Sequence, residues 1–364
     1  MMKIGILTFH REINYGACLQ AYALLTHIKK IQNDTEIIDF VPNSEIDKRS
    51  WKRKTLHFFK TLVSFNEKKQ QLKKKKFQSF YNKHLILSKE KLIGDNEARI
   101  ANLQYQILIS GSDQIFNLTL SDNSFTYYLP FNSITKISYG SSFGREKITD
   151  LEKWAILKYL PSFSNLSFRE KNGYLIVNSL IKLKEENIVV DPVFLLSDFE
   201  WNLLIKKHIK KRKNYVFIYA MEKTKWLEKT IDLVSKKYPD YKLLLINGGN
   251  HKLNIKKKKK EIKIAGPEDF LALISEASIV VTNSFHGLAF ALIFKKKIYC
   301  CAHSSKNTRL SNLLSMIGED KKIIFENATK FEQIDGISAL SKMEGYIHSS
   351  KNYLLKNLKV EKDD

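Results

Sequence analysis

A short, mostly apolar run opens the chain at Lys3 to Phe9, and the period then changes: Leu19, Tyr22, Ala23 and Ile28 recur at helical spacing within Ala17 to Ile28. A continuous run followed by a 3.6-residue period predicts a buried strand leading through a loop into a helix. A second strand-like run, Glu36 to Phe40, completes a βαβ unit, the building block of a parallel sheet. Between Asp47 and His84 the chain is rich in lysine, phenylalanine and leucine without one glycine or proline, which predicts one or two long amphipathic helices inserted into the first domain.

Strands resume at Tyr105 to Ser110, Lys136 to Tyr139 and Asn165 to Phe168, with a helix over Asp150 to Leu160. Glu186 to Val190 reads as a further strand, ended by Asp191 and Pro192. A helix carrying Trp201 and Leu204 then runs into lysines, and a fresh α/β series begins. Its strands are Tyr215 to Ala220, Tyr241 to Ile246, Ser278 to Val281 and Lys297 to Cys301; its helices are Lys225 to Lys236, Pro267 to Glu276 and Gly287 to Phe294. The pattern predicts an α/β protein of two Rossmann-like domains. The first spans 1–200 with the helical insertion near 47–84, the second spans 201–330, and a helical tail covers 331–364; the boundary falls near Leu196 to Lys213.

Composition narrows this picture. At 364 residues and 43% hydrophobic content, the chain is too long for one core and too apolar for disorder. No apolar stretch approaches the roughly 20 residues that span a bilayer, and the opening run is too brief and poorly flanked for a signal peptide. Cys18 and the adjacent Cys300 and Cys301 form neither an even secreted framework nor a CxxC metal pattern, so a cytoplasmic location and no metal are expected. The net charge of +23, from 61 Lys and Arg against 38 Asp and Glu, gathers in lysine clusters at Lys73 to Lys76, Lys206 to Lys213, Lys256 to Lys260 and Lys295 to Lys297. Lysine without interleaved arginine and aromatics is a poor nucleic-acid signature, so no nucleic acid is expected as partner. Two readings remain: solvated faces, or a basic surface resting on anionic lipid at the inner face of the membrane.

In an open parallel sheet, ligands lie beyond the carboxyl ends of the strands, so the residues following each strand are the ones to inspect. After the first strand, HREINYG places Asn14, Tyr15 and Gly16 ahead of a helix starting at Ala17, with Gly16 permitting a tight turn. Gly111, Ser112, Asp113 and Gln114 follow another strand; the plainer reading is a capped turn. SYGSSFG, with Ser141 and Ser142, is small and hydroxyl-rich, as suits close approach to phosphate or sugar. Arg169 and Glu170 follow the strand ending at Phe168; the arginine suits bidentate recognition of phosphate or carboxylate, unless it forms an ion pair with its neighbour. The strongest signal is Thr282 to Gly287, TNSFHG, where His286 stands at a helix N-terminus among Asn283, Ser284 and Gly287, placed for proton transfer or ligand binding.

Taken in order, NYGACLQAYAL (Asn14 to Leu24), GSDQIFN (Gly111 to Asn117), SYGSSFG (Ser138 to Gly144), SFRE (Ser167 to Glu170), DPVFLL (Asp191 to Leu196) and TNSFHG (Thr282 to Gly287) closely resemble the polysaccharide pyruvyl transferase family. The likeness implies a fold similar to the two-domain GT-B glycosyltransferase architecture. It implies transfer of pyruvate from phosphoenolpyruvate, as donor substrate and with no cofactor, onto two hydroxyls of a sugar in capsule, exopolysaccharide or cell-wall precursors, the saccharide acceptor being lipid-linked or otherwise carried. By resemblance Arg169 grips the donor and His286 serves as acid/base or donor-binding group, with Ser284 and Gly287 in the same loop. The chain departs from the family in having Asn283 where aspartate is common and Gly140 where alanine is common. Asn283 is therefore given no catalytic role, Asp113 and Glu170 are secondary candidates for a base, and Asp191 reads as structural. The competing expectations are a GT-B nucleotide-sugar glycosyltransferase, with Asn247, Gly248 and Gly249 as a weak nucleotide loop, and a non-enzymatic basic lipid-binding scaffold.

Overall fold

The computed structural model describes residues 2–42, 65–94, 104–131, 134–205, 214–249, 251–304 and 307–358. The chain divides into two compact units, the first comprising 1–68, 78–195 and 346–364 and the second 69–77 and 196–345.

The first unit contains β1 (Ile4–Leu7), α1 (Tyr15–Ile31), β2 (Thr35–Ile37), β3 (Phe40–Val41), the end of α2 (Phe65–His84), β4 (Leu92–Ile93), β5 (Ile107–Ser110), β6 (Thr135–Ser138), α3 (Asp150–Tyr159) and α4 (Lys171–Ile181). Its main sheet has the order β2-β1-β5-β6 with every pairing parallel. β1 and β5 are buried at each position, as strands covered on both faces must be. Packing is tight enough that a Cβ on Gly5 would stand 2.8 Å from Ile38 Cδ1. Leu7, Phe116, Tyr128, Phe143, Ile156 and Phe168 belong to one buried cluster.

The expected strands at Asn165 to Phe168 and Glu186 to Val190 are reduced to single parallel bridges: Ile137 with Asn165, Ser141 with Phe168 and Phe168 with Ile188. Main-chain bonds such as Ser138 N to Asn165 O at 3.0 Å and Val189 N to Phe168 O at 2.9 Å remain, and serine hydroxyls supplement them. Ser167 N donates to Ser138 Oγ at 2.8 Å, and that hydroxyl donates to Ser167 O at 2.9 Å. Of the expected insertion, 65–84 is the helix α2, and 47–64 lies outside the described residues, as does 206–213.

The second unit holds α5 (Asp198–Asn202), β7 (Tyr215–Ala220), α6 (Lys225–Lys237), β8 (Lys242–Asn247), β9 (Lys259–Glu261), α7 (Pro267–Ser275), β10 (Ile279–Thr282), α8 (Phe285–Ile293), β11 (Lys297–Cys300), α9 (Thr308–Met316), β12 (Ile334–Asp335) and α10 (Gly336–Ser341). The sheet runs β12-β11-β10-β7-β8-β9, parallel except at β12. β9 and β12, absent from the sequence-based expectation, are its two edges, and the lysines of β9 suit an edge that must not recruit another strand. Val216, Ile218, Leu227, Ile231 and Val281 share the buried cluster between this sheet and its helices.

The tail expected over 331–364 is divided. β12 and α10 stay with the second unit, whereas most of α11 (Glu344–Leu358) belongs to the first. There Tyr353 Oη donates to Ser138 O at 2.9 Å and Ser350 Oγ accepts from Val190 N at 2.9 Å. No described helix is long and apolar enough to cross a membrane.

Candidate active site

In the first unit, three of the expected loops interlock at the carboxyl edge of the sheet, and the fourth opens α1. Asn14 is the N-cap of α1, its Oδ1 accepting from Gly16 N at 2.9 Å and Ala17 N at 3.4 Å. The helix therefore begins at Tyr15, and Gly16 lies in its first turn instead of forming the expected tight turn before it. Asp113 and Ser141 form a parallel bridge, and Ser142 N donates to Asp113 O at 3.0 Å. Gln114 packs over Gly144, where a Cβ would fall 1.8 Å from Gln114 Oε1.

The hydroxyls expected to meet phosphate or sugar are fully buried and bonded to main chain. Ser112 Oγ donates to Gly140 O at 3.0 Å, Ser141 Oγ donates to Gly111 O at 2.9 Å, and Ser142 Oγ accepts from Gly144 N at 2.9 Å. Buried hydroxyls must find partners; those of Ser112 and Ser141 fasten one loop to the next, and that of Ser142 closes its own turn.

Arg169 is equally committed. Its Nη1 donates to Asp191 Oδ2 at 2.8 Å, its Nε donates to Glu170 Oε1 at 3.0 Å, and Nη2 lies 3.6 Å from Asp113 Oδ1, with the guanidinium almost wholly buried. Burial disfavours its charge, but the carboxylates of Glu170, Asp191 and Asp113 outweigh that and raise its pKa above the ordinary arginine value. The guanidinium thus faces the carboxylates of Asp113, Glu170 and Asp191 together. Asp113 holds a left-handed backbone (φ 75°), uncommon for a residue with a side chain and frequent at functional sites.

A further cluster, missed from sequence, joins the ends of β1 and β2. His10 Nε2 lies 3.2 Å from Asp39 Oδ1 and Arg11 forms an ion pair with the same carboxylate. Burial raises the Asp39 carboxyl, but hydrogen bonds from His10 and Arg11 prevail and hold it well below its ordinary range. An aspartate near the end of the strand-like run Glu36 to Phe40 was the available signal.

In the second unit, β10 delivers the TNSFHG loop. Thr282 Oγ1 donates to Tyr219 O at 2.8 Å and accepts from Ser284 N at 3.0 Å; Ser284 caps α8, its Oγ accepting from Gly287 N at 3.3 Å. His286 is the second residue of α8, buried, with the Phe285 ring edge-on at 5.1 Å between centroids. Gly287 is dictated by close approach, since a Cβ would lie 2.3 Å from Thr282 Oγ1. Asn283 braces the loop: its Oδ1 accepts from Met221 N at 2.8 Å and its Nδ2 donates to Glu222 O at 2.8 Å.

Asn283 also ties His286's loop to a neighbouring group of residues that the sequence reading passed over. Glu222, just after β7, has Oε2 2.9 Å from His303 Nδ1 and accepts from Ser304 N at 2.9 Å; its Oε1 accepts from Ser304 Oγ at 2.5 Å. Partial burial raises the Glu222 carboxyl, yet the bonds from Ser304 and His303 dominate and hold it below the usual carboxylate range. Applying the strand-end rule to the residues after β7 and β11 would have found both Glu222 and His303. Cys300 and Cys301 are buried, and burial pushes both thiols up, away from nucleophilic chemistry.

Comparison with solved structures supports the two-domain fold. The UDP-GlcNAc 2-epimerase of Neisseria meningitidis, bound to UDP-GlcNAc, is similar over 99% of this chain and 95% of its own at 11% identity, with a TM-score of 0.50. HepE of Anabaena, in complex with UDP-glucose, is similar over 98% and 99% at 10% identity, with a TM-score of 0.53. These likenesses show the fold class, α/β of the GT-B kind. No curated protein matches the sequence. A family model does, over residues 14–305, spanning the loops of both sheets, and by that match the chain belongs to the polysaccharide pyruvyl transferase family.

Proposed function

We propose that the protein transfers pyruvate from phosphoenolpyruvate to two hydroxyls of a saccharide, closing a cyclic ketal and releasing phosphate. The observation that carries this reading is the family match over 14–305, which takes in a buried histidine at the N-terminus of α8, beyond the carboxyl end of β10. Helix amides and their dipole favour an anion there, and the histidine is placed to move a proton beside it.

The chemistry balances without a separate cofactor. A proton adds to the methylene carbon of the donor, a sugar oxygen bonds to C2, and the C2–O bond breaks with its electron pair leaving on phosphate. The second sugar oxygen then closes the ring. Of the two hydroxyl protons, one replaces the proton given to carbon and the other ends on phosphate. His286 relays the proton at carbon, and the amides of α8 receive the donor's anionic groups. The acceptor is a saccharide, with lipid linkage the case that would use a basic protein at the inner face of the membrane.

The test is phosphate release from phosphoenolpyruvate with extracts of lipid-linked saccharides, comparing wild type with His286→Ala. Loss of a general acid/base predicts a fall of about 100-fold or more, with an unchanged thermal transition. A variant within threefold of wild type would remove His286 from the mechanism. No release with any acceptor, together with tight binding of a UDP-sugar, would favour glycosyl transfer instead.

A further inference from the structure

Two hydroxyls must lose protons in this reaction, and one histidine that shuttles a proton to carbon does not serve both. The Glu222, His303 and Ser304 group lies at the same sheet edge as His286, joined to its loop by the Asn283 side chain. Its geometry is that of a histidine held for use. Glu222 Oε2 stands 2.9 Å from His303 Nδ1, so the proton is placed on Nδ1 and the lone pair on Nε2. Ser304 bonds both carboxylate oxygens, through its N–H to Oε2 and its hydroxyl to Oε1, fixing the direction in which Glu222 points. Asn307 fixes the main chain on the other side: its Oδ1 accepts from His303 N at 2.7 Å and its Nδ2 donates to His303 O at 2.9 Å. Trp226 Nε1 donates to Ala302 O at 2.7 Å, anchoring the residue before. Within this frame the His303 side chain keeps 22% of its surface exposed.

Resting on the pyruvyl-transfer reading, we propose that His303 is a second catalytic base, whose Nε2 takes the proton from the acceptor hydroxyl that closes the ketal. Glu222 is its positioning residue and Ser304 holds Glu222. In the step, which follows loss of phosphate from C2, the hydroxyl O–H bond breaks, its oxygen bonds to the oxocarbenium carbon C2 as the C=O π pair returns to the first sugar oxygen, and the proton moves to Nε2; from there it passes to the released phosphate. The exposed lone pair opposite a fixed carboxylate is the arrangement that general-base catalysis requires, with the carboxylate stabilising the imidazolium that forms.

The experiment uses the full chain with phosphoenolpyruvate and saccharide extract. His303→Ala is expected to lose about 100-fold in kcat while KM for phosphoenolpyruvate changes less than twofold, and added imidazole is expected to restore turnover. Glu222→Gln should lower kcat with the same unchanged KM, and Glu222→Asp should recover part of it. A His303→Ala variant within threefold of wild type overturns the proposal. So does a folded, inactive variant that imidazole does not rescue, since that outcome makes the ring a structural group. A wild-type protein inert toward phosphoenolpyruvate is a distinct result: it overturns the pyruvyl-transfer reading itself, and the base assigned within it.

Discussion

Asn283 makes two hydrogen bonds that a carboxylate cannot make together, accepting from Met221 N and donating to Glu222 O while fully buried. The aspartate common in the family would set a negative oxygen against the Glu222 carbonyl oxygen. Asn283→Asp is accordingly expected to destabilise the protein by about 1–3 kcal/mol or more, read as a lower denaturant midpoint at neutral pH. A midpoint equal to wild type would mean the loop rearranges without cost. Gly140, the other departure, follows from its backbone: φ is 60°, and an added Cβ would lie 3.2 Å from Ser112 Oγ. At this scale the sequence marks which positions cluster but not which partner each side chain takes. Ser112, Ser141 and Ser142 stand where a ligand-binding hydroxyl would stand, yet Ser112 and Ser141 bond the adjacent loop's main chain and Ser142 the main chain of its own loop. Their partners lie about 30 residues away along the chain for Ser112 and Ser141, a long-range match that local patterning does not encode.

At the scale of elements, α11 completes the broken edge of the first sheet. Val190 N has no strand ladder to join and donates to Ser350 Oγ instead, while Tyr353 reaches Ser138 O. Removing that hydroxyl by Ser350→Ala leaves a buried amide without its acceptor, an expected loss of about 1–3 kcal/mol. Hydrogen exchange gives the check: protection should fall at Val190 and around 165–190, with β7 and β10 unaffected. Uniform loosening, or none, would contradict this placement of the helix. The strong periodic elements were legible because burial on both faces leaves no choice of pattern: β1, β5, β7 and β10 are continuous apolar runs, and α1 carries its core residues at helical spacing. The rest lacked such a signal. β9 is Lys259–Glu261, a wholly charged segment made a strand only by pairing with β8, and β12 is two residues long. Asn165 to Phe168 reads as a strand because its residues are buried like one, but serine hydroxyls take part of its ladder.

For the molecule as a whole the dominant quantity is charge. An excess of 23 positive charges raises the local concentration of anionic surfaces around the protein, and in the described residues Lys74 and Lys75 of α2 are exposed. If the acceptor is lipid-linked, such a field draws the enzyme toward it. Binding to vesicles containing anionic phospholipid should therefore be measurable at low ionic strength and absent for zwitterionic vesicles. It should be lost at high salt, because the screening length is already about 10 Å at 0.1 M and shortens further. Each lysine near such a surface contributes about 1 kcal/mol, so the double variant Lys74→Ala/Lys75→Ala should bind about 30-fold more weakly in a sedimentation assay. Phosphate release with a soluble saccharide acceptor should be unchanged in the same variant, since α2 supplies no group to the chemistry. Undiminished vesicle binding would locate the membrane contact elsewhere on the surface, and no binding at any salt concentration would make the lysine excess a solvated coat with the acceptor reached by diffusion.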